Sequence, residues 1–418
     1  MRGTLLRGAP CRLPAIFLLP ATVGALFGAP ATAAAQAPPR TIVWRAEALQ
    51  QTKNRLAAGD PSLAPALAAL KSRAEDALEA GPFSVMDKER VPPSGDKHDY
   101  ISFGPYWWPD PALPDGLPYI RRDGETNPES RTDSDRPRLG SLMSAVETLA
   151  VAYQFTDDER YAEHAARLLR VWFLDPDTRM NPNLNHGQAI PGRVDGRGIG
   201  IIDTRGLSTL VDAVTLVSRS PHWSAADREG MRGWFRDYLE WLQTSEHGVD
   251  ERDEHNNHGT WYDAQVVALA LFVGEDSIAR RVLEEHTKAR IDAHIRADGS
   301  QPHELARTRS LSYSVMNLEG FLRLAEMGRH VGVDLWRYTA PGGGTLRAAI
   351  DYLAPYTDPQ NRWDGQQITP ANPIEQLPGL RMASLAYGDA RYEEAIDRIP
   401  DQEMVAAHRV QLLQPVSR

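Results

Sequence analysis

Apolar residues recur every three to four positions along most of this chain, which is the spacing of an α-helix with a buried face. Asp60 followed by Pro61 marks the start of the first such segment. Alternating apolar and polar positions, which predict β-strands, are scarce. The pattern predicts an all-α protein of antiparallel helical hairpins around a common centre, with helices over 60–80, 138–155, 158–174, 204–220, 224–245, 257–274, 276–295, 310–332 and 344–356.

Two long segments, 97–130 and 175–206, interrupt this pattern and are rich in proline, glycine, aromatic and amide residues. Long irregular loops within a compact domain are usually functional or disordered, and the aromatic content argues against disorder. We expect Tyr106 and Trp107 to contact sugar rings, and His186 and Gln188 to line a cleft. The alternatives are that the aromatic residues plug the end of a helical barrel and that the amide-rich loop is merely solvated.

Residues 1–36 have the layout of a secretory signal peptide, with three arginines, an apolar core and small residues before the expected cleavage site. A retained N-terminal anchor is the alternative. The only cysteine, Cys11, lies in this segment, so the mature chain is expected to have no thiol for a disulfide or a metal. We predict a secreted or periplasmic protein without stable membrane insertion, whose residues 37–418 form one domain.

The charge of the chain limits the classes of partner. Its formal net charge is −10, and removing the three arginines of residues 1–36, which contain no acidic residue, gives −13. Nucleic acid is therefore an unfavourable partner, because phosphate binding needs a basic face. A local cluster of arginines in a cleft still permits an anionic sugar polymer as the partner.

Two short segments contain the candidate chemistry. The segment "EHNNHGTWYD" (254–263) spans the start of the predicted helix over 257–274 and contains a cluster of neutral hydrogen-bonding side chains that packing alone does not require. The segment "ELARTRSLSYS" places Arg307, Arg309 and Tyr313 close together. A tyrosine has an ordinary pKa near 10, and a neighbouring arginine is expected to lower this pKa by stabilising the phenolate.

Amide, imidazole, guanidinium and phenol groups together suit β-elimination at a uronic acid. The proton on C5 is weakly acidic, and its removal requires the adjacent carboxylate to be neutralised so that it can accept enolate charge. Asparagine, histidine and arginine do this by hydrogen bonding, without a metal. Tyrosine can then act as the base at C5 and as the acid toward the departing O4.

The chain resembles the alginate lyase family of polysaccharide lyases in four segments that occur in order, "KHDYISFGPYWWPDP", "NPNLNHGQAIPGRVDGRGIGIIDTRGL", "NNHGTWYDAQ" and "ELARTRSLSYS". The resemblance covers roughly residues 60–375. It implies an incomplete (α/α) toroid and no cofactor. It also implies that Asn257 and His258 neutralise the uronate carboxylate, and that Arg307 and Tyr313 are the catalytic arginine and tyrosine.

The better-known members of the family have one more residue between the arginine and the tyrosine, so the arginine role is open between Arg307 and Arg309. We expect Arg309, Trp261 and Tyr262 to bind substrate; a place in the core is the alternative for Trp261. Asn257 and His258 should begin their helix with side chains turned into the cleft, near Tyr313. The predicted substrate is a 4-linked polyuronate, with mannuronate-rich alginate first and glucuronan second.

Three other classes of function compete with this interpretation. A catalytic metal would use His255 and His258 with nearby carboxylates, but the HExxH pattern is absent. A glycoside hydrolase would need two carboxylates across a cleft, for which Asp203 and Asp263 are the candidates. A polyuronate-binding protein without activity is the third. The set of asparagine, histidine, arginine and tyrosine favours the lyase, with no metal and no cofactor.

Overall fold

The computed structural model describes residues 40–416. The expected signal peptide therefore lies outside the described residues. The α-helices are α1 (Ala46–Ala57), α2 (Ala64–Leu78), α3 (Asp135–Thr156), α4 (Glu159–Leu169), α5 (Leu207–Val217), α6 (Ala225–Thr244), α7 (Glu246–Asp253), α8 (Asn257–Val273), α9 (Asp276–Arg281), α10 (Lys288–His294), α11 (Pro302–Leu305), α12 (Ser310–Gly328), α13 (Leu346–Leu353), α14 (Leu377–Tyr387), α15 (Arg391–Asp397), α16 (Gln402–Ala407) and α17 (Val410–Leu413).

The all-α prediction is confirmed. Every segment with helical spacing contains at least one helix, and the predicted helix over 276–295 is α9 and α10 joined by the π-helical segment Val282–Thr287. The pattern did not predict α1, α7, α11 or the helices after α13. Most of these helices are short, and an apolar period is hard to recognise over fewer than about three turns. In residues 40–416, no helix is both long and apolar enough to cross a membrane.

Helix α8 occupies the middle of the helical packing. Every residue from Gly259 to Ala270 is buried, and the helix packs against α5, α6, α7, α9 and α12. Gly259 is needed in its first turn, because a Cβ there would lie 2.1 Å from Nη1 of Arg290 and 2.3 Å from the carbonyl oxygen of Glu254. The start of α8 is thus fixed closely against its neighbours.

Short strands connect the two long loops, a feature that the sequence pattern did not predict. Strand β1 (Ile101–Phe103) pairs in parallel with β4 (His186–Ala189), which joins one loop to the other. Strands β2 (Trp107–Trp108) and β3 (Ile120–Arg121) form an antiparallel hairpin within the first loop. We call residues 106–123 the β2–β3 hairpin. These pairings connect the two loops and close the hairpin.

Candidate active site

The start of α8 is the first part of the site. Asn256 caps the helix, because its side-chain oxygen accepts a hydrogen bond of 2.9 Å from the backbone N–H of His258. Asn257 is the first helical residue, as predicted. Its backbone N–H and its Nδ2 donate to the two carboxylate oxygens of Glu304 at 2.7 and 2.8 Å.

The expectation that the Asn257 side chain is exposed in the cleft does not hold, because this residue is fully buried. The contact with Glu304 explains the burial, since both donors of Asn257 point at one carboxylate. Burial also raises the pKa of Glu304. Asn257 is therefore the residue that satisfies the Glu304 carboxylate.

His258 is held by a second buried carboxylate. Its Nδ1 lies 2.8 Å from Oε1 of Glu251, and the imidazole is 15% exposed. Glu251 is fully buried, and this burial raises its pKa. When Glu251 and His258 together hold two protons, Nε2 of His258 carries a hydrogen. The two groups are then either a neutral acid with an imidazole or a carboxylate with an imidazolium. In that protonation state, His258 can donate a hydrogen bond through Nε2.

Tyr313, in the first turn of α12, faces a second tyrosine. Its hydroxyl oxygen lies 2.5 Å from the hydroxyl oxygen of Tyr106, and the guanidinium carbon of Arg307 lies 4.0 Å from its ring centre. Burial raises the pKa of Tyr313, and Arg307 only partly opposes this shift. The expected net lowering of this pKa is therefore wrong: desolvation of the phenolate exceeds the effect of the single cation.

The geometry separates the two candidate arginines. Arg307 contacts the face of Tyr313 and forms an ion pair with Asp123 at 2.9 Å. The buried Nε of Arg309 has no hydrogen-bond partner among the described residues, and its charge acts on Glu375. The ring of Tyr313 is therefore contacted by Arg307.

Gln188 belongs to a buried network around Asp203. The carboxylate of Asp203 accepts hydrogen bonds from Gln188 at 3.0 Å and from Ser102 at 2.6 Å, and it pairs with Arg136 at 3.3 Å. Asp203 raises the pKa of Arg136 most strongly, while Tyr106 and Tyr313 add smaller contributions of the same sign. The charge of Arg136 therefore acts on both tyrosines. Sequence reasoning missed Arg136, because it belongs to none of the motifs.

His186 and Trp107 are both half-buried. Nε2 of His186 lies 4.0 Å from a carboxylate oxygen of Asp99. Arg193 and Arg197 lie over the ring of Trp107, with guanidinium carbons 5.3 and 5.9 Å from its centre. The ring of Trp107 is therefore flanked by positive charge and is not a bare surface for stacking.

Trp261 and Tyr262 do not contact the cleft. Trp261 is 1% exposed, and the hydroxyl of Tyr262 donates to the carbonyl of Leu242 at 2.8 Å within the core. Their predicted substrate contacts do not hold, because both positions face neighbouring helices. Asp263 is also fully buried and pairs with Arg290 at 2.8 Å. Since Asp203 is similarly engaged, these two carboxylates do not form the open pair that a glycoside hydrolase needs.

The histidines considered for a metal site point in different directions. The ring of His255 packs edge-on against His303, with centres 4.9 Å apart, whereas His258 binds Glu251. In the part of the chain that the structure describes, no group of three or more histidine, cysteine or acidic residues is arranged to hold a metal ion.

Comparison with known proteins places the chain in a family. The model of the alginate lyase family matches residues 84–363. An alginate lyase from Bacteroides ovatus is 41% identical to the chain, with a TM-score of 0.86, and the match covers 91% of this chain and all of that one. No curated protein matches significantly.

More distant structures share the fold. Alginate lyase A1-III from Sphingomonas species A1 is 17% identical, with a TM-score of 0.59, and the match covers 91% of this chain and 98% of that chain. A variant of that enzyme in complex with a tetrasaccharide gives the same identity and TM-score. These likenesses support the α/α-toroid assignment. The family match and the Bacteroides ovatus structure show that this chain belongs to the alginate lyase family and is a polysaccharide lyase.

Proposed function

We propose that this protein is a secreted or periplasmic lyase that cleaves 4-linked polyuronates by β-elimination, with mannuronate-rich alginate as its preferred substrate. The observation that carries the proposal is the tyrosine pair: the Tyr313 hydroxyl is 2.5 Å from that of Tyr106, and Arg307 covers its ring. This arrangement supplies a proton-transferring group beside fixed positive charge. The alginate lyases among its relatives support alginate as the substrate.

In the proposed reaction, His258 donates through Nε2 to the uronate carboxylate at the cleavage site. Asn257 donates one of its two amide hydrogens to Glu304. The second is assigned to the uronate carboxylate, a contact that the buried side chain makes only if substrate binding opens the start of α8. These donors stabilise the negative charge that moves onto the carboxylate as the C5 proton leaves. Glu251 and Glu304 fix the orientation of the donors before substrate binds.

Tyr313 acts as base and then as acid. Its hydroxyl first loses its proton to solvent, and the phenolate is stabilised by the hydrogen bond from Tyr106 and by the charges of Arg307 and Arg136. The phenolate takes the proton from C5, and the electron pair forms an enolate. The C4=C5 double bond then forms while the C4–O4 bond breaks, and Tyr313 returns the proton to O4.

The test is the ultraviolet absorbance of the unsaturated product on separate polymannuronate, polyguluronate and glucuronan substrates. We expect the highest kcat/KM on polymannuronate. A higher value on glucuronan would overturn the sugar preference. Saturated ends alone would indicate hydrolysis, and binding without products would indicate a binding protein; either result would overturn the proposed function.

A further inference from the structure

The end of the β2–β3 hairpin holds the segment that precedes α12. The Asp123 carboxylate accepts from Nη2 and Nε of Arg307 at 2.9 and 3.2 Å, and from the Thr308 hydroxyl at 3.0 Å. The Thr308 hydroxyl also lies 3.0 Å from the backbone oxygen of Asp123. Gly124 has a φ of +78°, and a Cβ there would lie 2.4 Å from the Thr308 hydroxyl. The chain thus turns tightly against this segment.

We propose that Asp123 is a positioning residue for the elimination, because it holds the guanidinium of Arg307 against the face of Tyr313. This inference rests on the proposed function. Asp123 engages two nitrogens of Arg307, and such a two-point contact fixes the plane of a guanidinium as well as its position. A single hydrogen bond would leave that plane free to rotate.

The orientation of Arg307 matters because a cation over the ring leaves the phenol edge open. In this position the charge acts on the phenolate without occupying the oxygen that must receive the C5 proton. If Arg307 were released, its flexible side chain would reach other acceptors, such as a substrate carboxylate. The Asp123 contact therefore selects one of several available positions for the cation.

The same hairpin also supplies the other partner of Tyr313. Tyr106 directly precedes β2, and its carbonyl accepts a hydrogen bond of 2.8 Å from the backbone N–H of Arg122, next to Asp123. One structural unit thus sets both the hydroxyl contact and, through Asp123, the cation over the ring. Arg307 in turn lowers the pKa of Asp123 to about 2, against the opposing effect of burial, so the ion pair persists at neutral pH.

The competing explanation is that Asp123 only fastens the loop to the body of the protein. A double-mutant cycle separates the two explanations, with Glu125→Gln as the control. Glu125 is an exposed carboxylate of the same segment, whose nearest ion-pair distance is 3.9 Å, to Arg122. The variants are Asp123→Asn, Arg307→Ala and the double variant, all measured as full-length protein on polymannuronate.

We expect Asp123→Asn to lower kcat roughly 10–100-fold with little change in KM, which is the scale for misplacing a catalytic group by about 1 Å. It should also move the limb of the pH–rate profile that reports Tyr313 ionisation to higher pH. Glu125→Gln should change neither quantity. In the Arg307→Ala background, Asp123→Asn should cause no further loss of kcat.

An equal loss of kcat from Asp123→Asn in both backgrounds would overturn the positioning role and leave only loop fastening. An unchanged kcat in Asp123→Asn alone would also overturn it. The proposed function fails separately, if the unsubstituted protein forms no unsaturated product in the same assay. Circular dichroism and the unfolding midpoint of each variant show whether loss of fold explains a rate.

Discussion

The hydroxyl oxygens of Tyr106 and Tyr313 are 2.5 Å apart. This separation is at the short end of the range for a hydrogen bond between two hydroxyl groups. In the proposed reaction, the Tyr313 base therefore acts with the Tyr106 hydroxyl as its hydrogen-bond partner.

Replacing Tyr313 with phenylalanine should nearly abolish turnover while leaving folding intact, because only the hydroxyl is removed. We expect kcat to fall about 10²–10⁴-fold. Tyr106→Phe is the matched variant and should reduce kcat roughly 10–100-fold, since it removes a charge-assisted hydrogen bond from the phenolate. Both values come from initial rates of unsaturated product formation. A Tyr313→Phe enzyme with more than roughly a tenth of normal turnover would assign the base elsewhere, with His258 the first candidate.

Asn257→Ala should lower kcat about 10²–10³-fold, because the lost amide donor acts on charge that develops in the transition state. It should also lower the free energy of unfolding by about 1–3 kcal/mol, since the buried Glu304 loses its side-chain donor. Kinetics are to be corrected for the folded fraction. Because Asn257 is fully buried, it could instead act only in the structure of α8. Lower stability with unchanged turnover per folded molecule would show that the residue only stabilises the start of this helix.

Exhaustive chelation should leave turnover unchanged, because amide, imidazole, guanidinium and phenol groups suffice for the proposed elimination. The measurement is kcat before and after dialysis against a strong chelator, followed by addition of single divalent ions. Loss of activity that one particular ion restores would contradict the metal-free mechanism. A nonspecific recovery with every ion tested would instead point to screening of charge on the substrate.

The stability of the fold should decrease on mild acidification because of His294. This residue is 3% exposed and packs near His303 and Phe321. Burial, with added repulsion from Arg290, His303 and His255, lowers the pKa of His294 to about 3. An unfolded histidine titrates near 6.5, so the unfolded state binds the proton first. The contribution of neutral His294 to the free energy of unfolding is complete above about pH 6.5 and is lost as the pH falls toward 3.

We therefore expect the free energy of unfolding in urea to decrease by up to about 1.4 kcal/mol per pH unit below pH 6.5 from this one group. His294→Phe retains an aromatic ring and removes the titration. Its stability curve should be flatter than that of the unsubstituted protein between about pH 6.5 and 5. Parallel curves for the two proteins would show that His294 does not determine the acid sensitivity.

Much of the fold was predictable because apolar spacing marks each long helix locally. The positions of Asn257 and Tyr313 in the first turns of α8 and α12 also follow from their motifs. The pairing of β1 with β4 was not predictable, because two three- to four-residue strands far apart in sequence leave no period to recognise. Loop closure of this kind depends on packing that only the assembled helices provide.

The site was predictable where a motif contributes its own chemistry and not where a distant residue supplies a partner. Nothing near Tyr106 or Asp123 indicates that they meet Tyr313 and Arg307, which follow 207 and 184 residues later. Trp261 shows the converse error, since an aromatic residue in a catalytic motif can belong wholly to the core. The side of the helix on which a residue lies decides whether it faces the core or the cleft. A short motif does not specify that side.

The central position of α8 has a consequence for how the enzyme acquires activity. Its apolar surface extends around the whole helix, so no single neighbour can cover it, and the helix gains its stability from packing. Asn257 and His258 stand in its first turn and reach their places only when the surrounding helices have docked. After dilution from denaturant, turnover should therefore recover later than far-ultraviolet circular dichroism, which makes catalysis a probe of the last stage of folding.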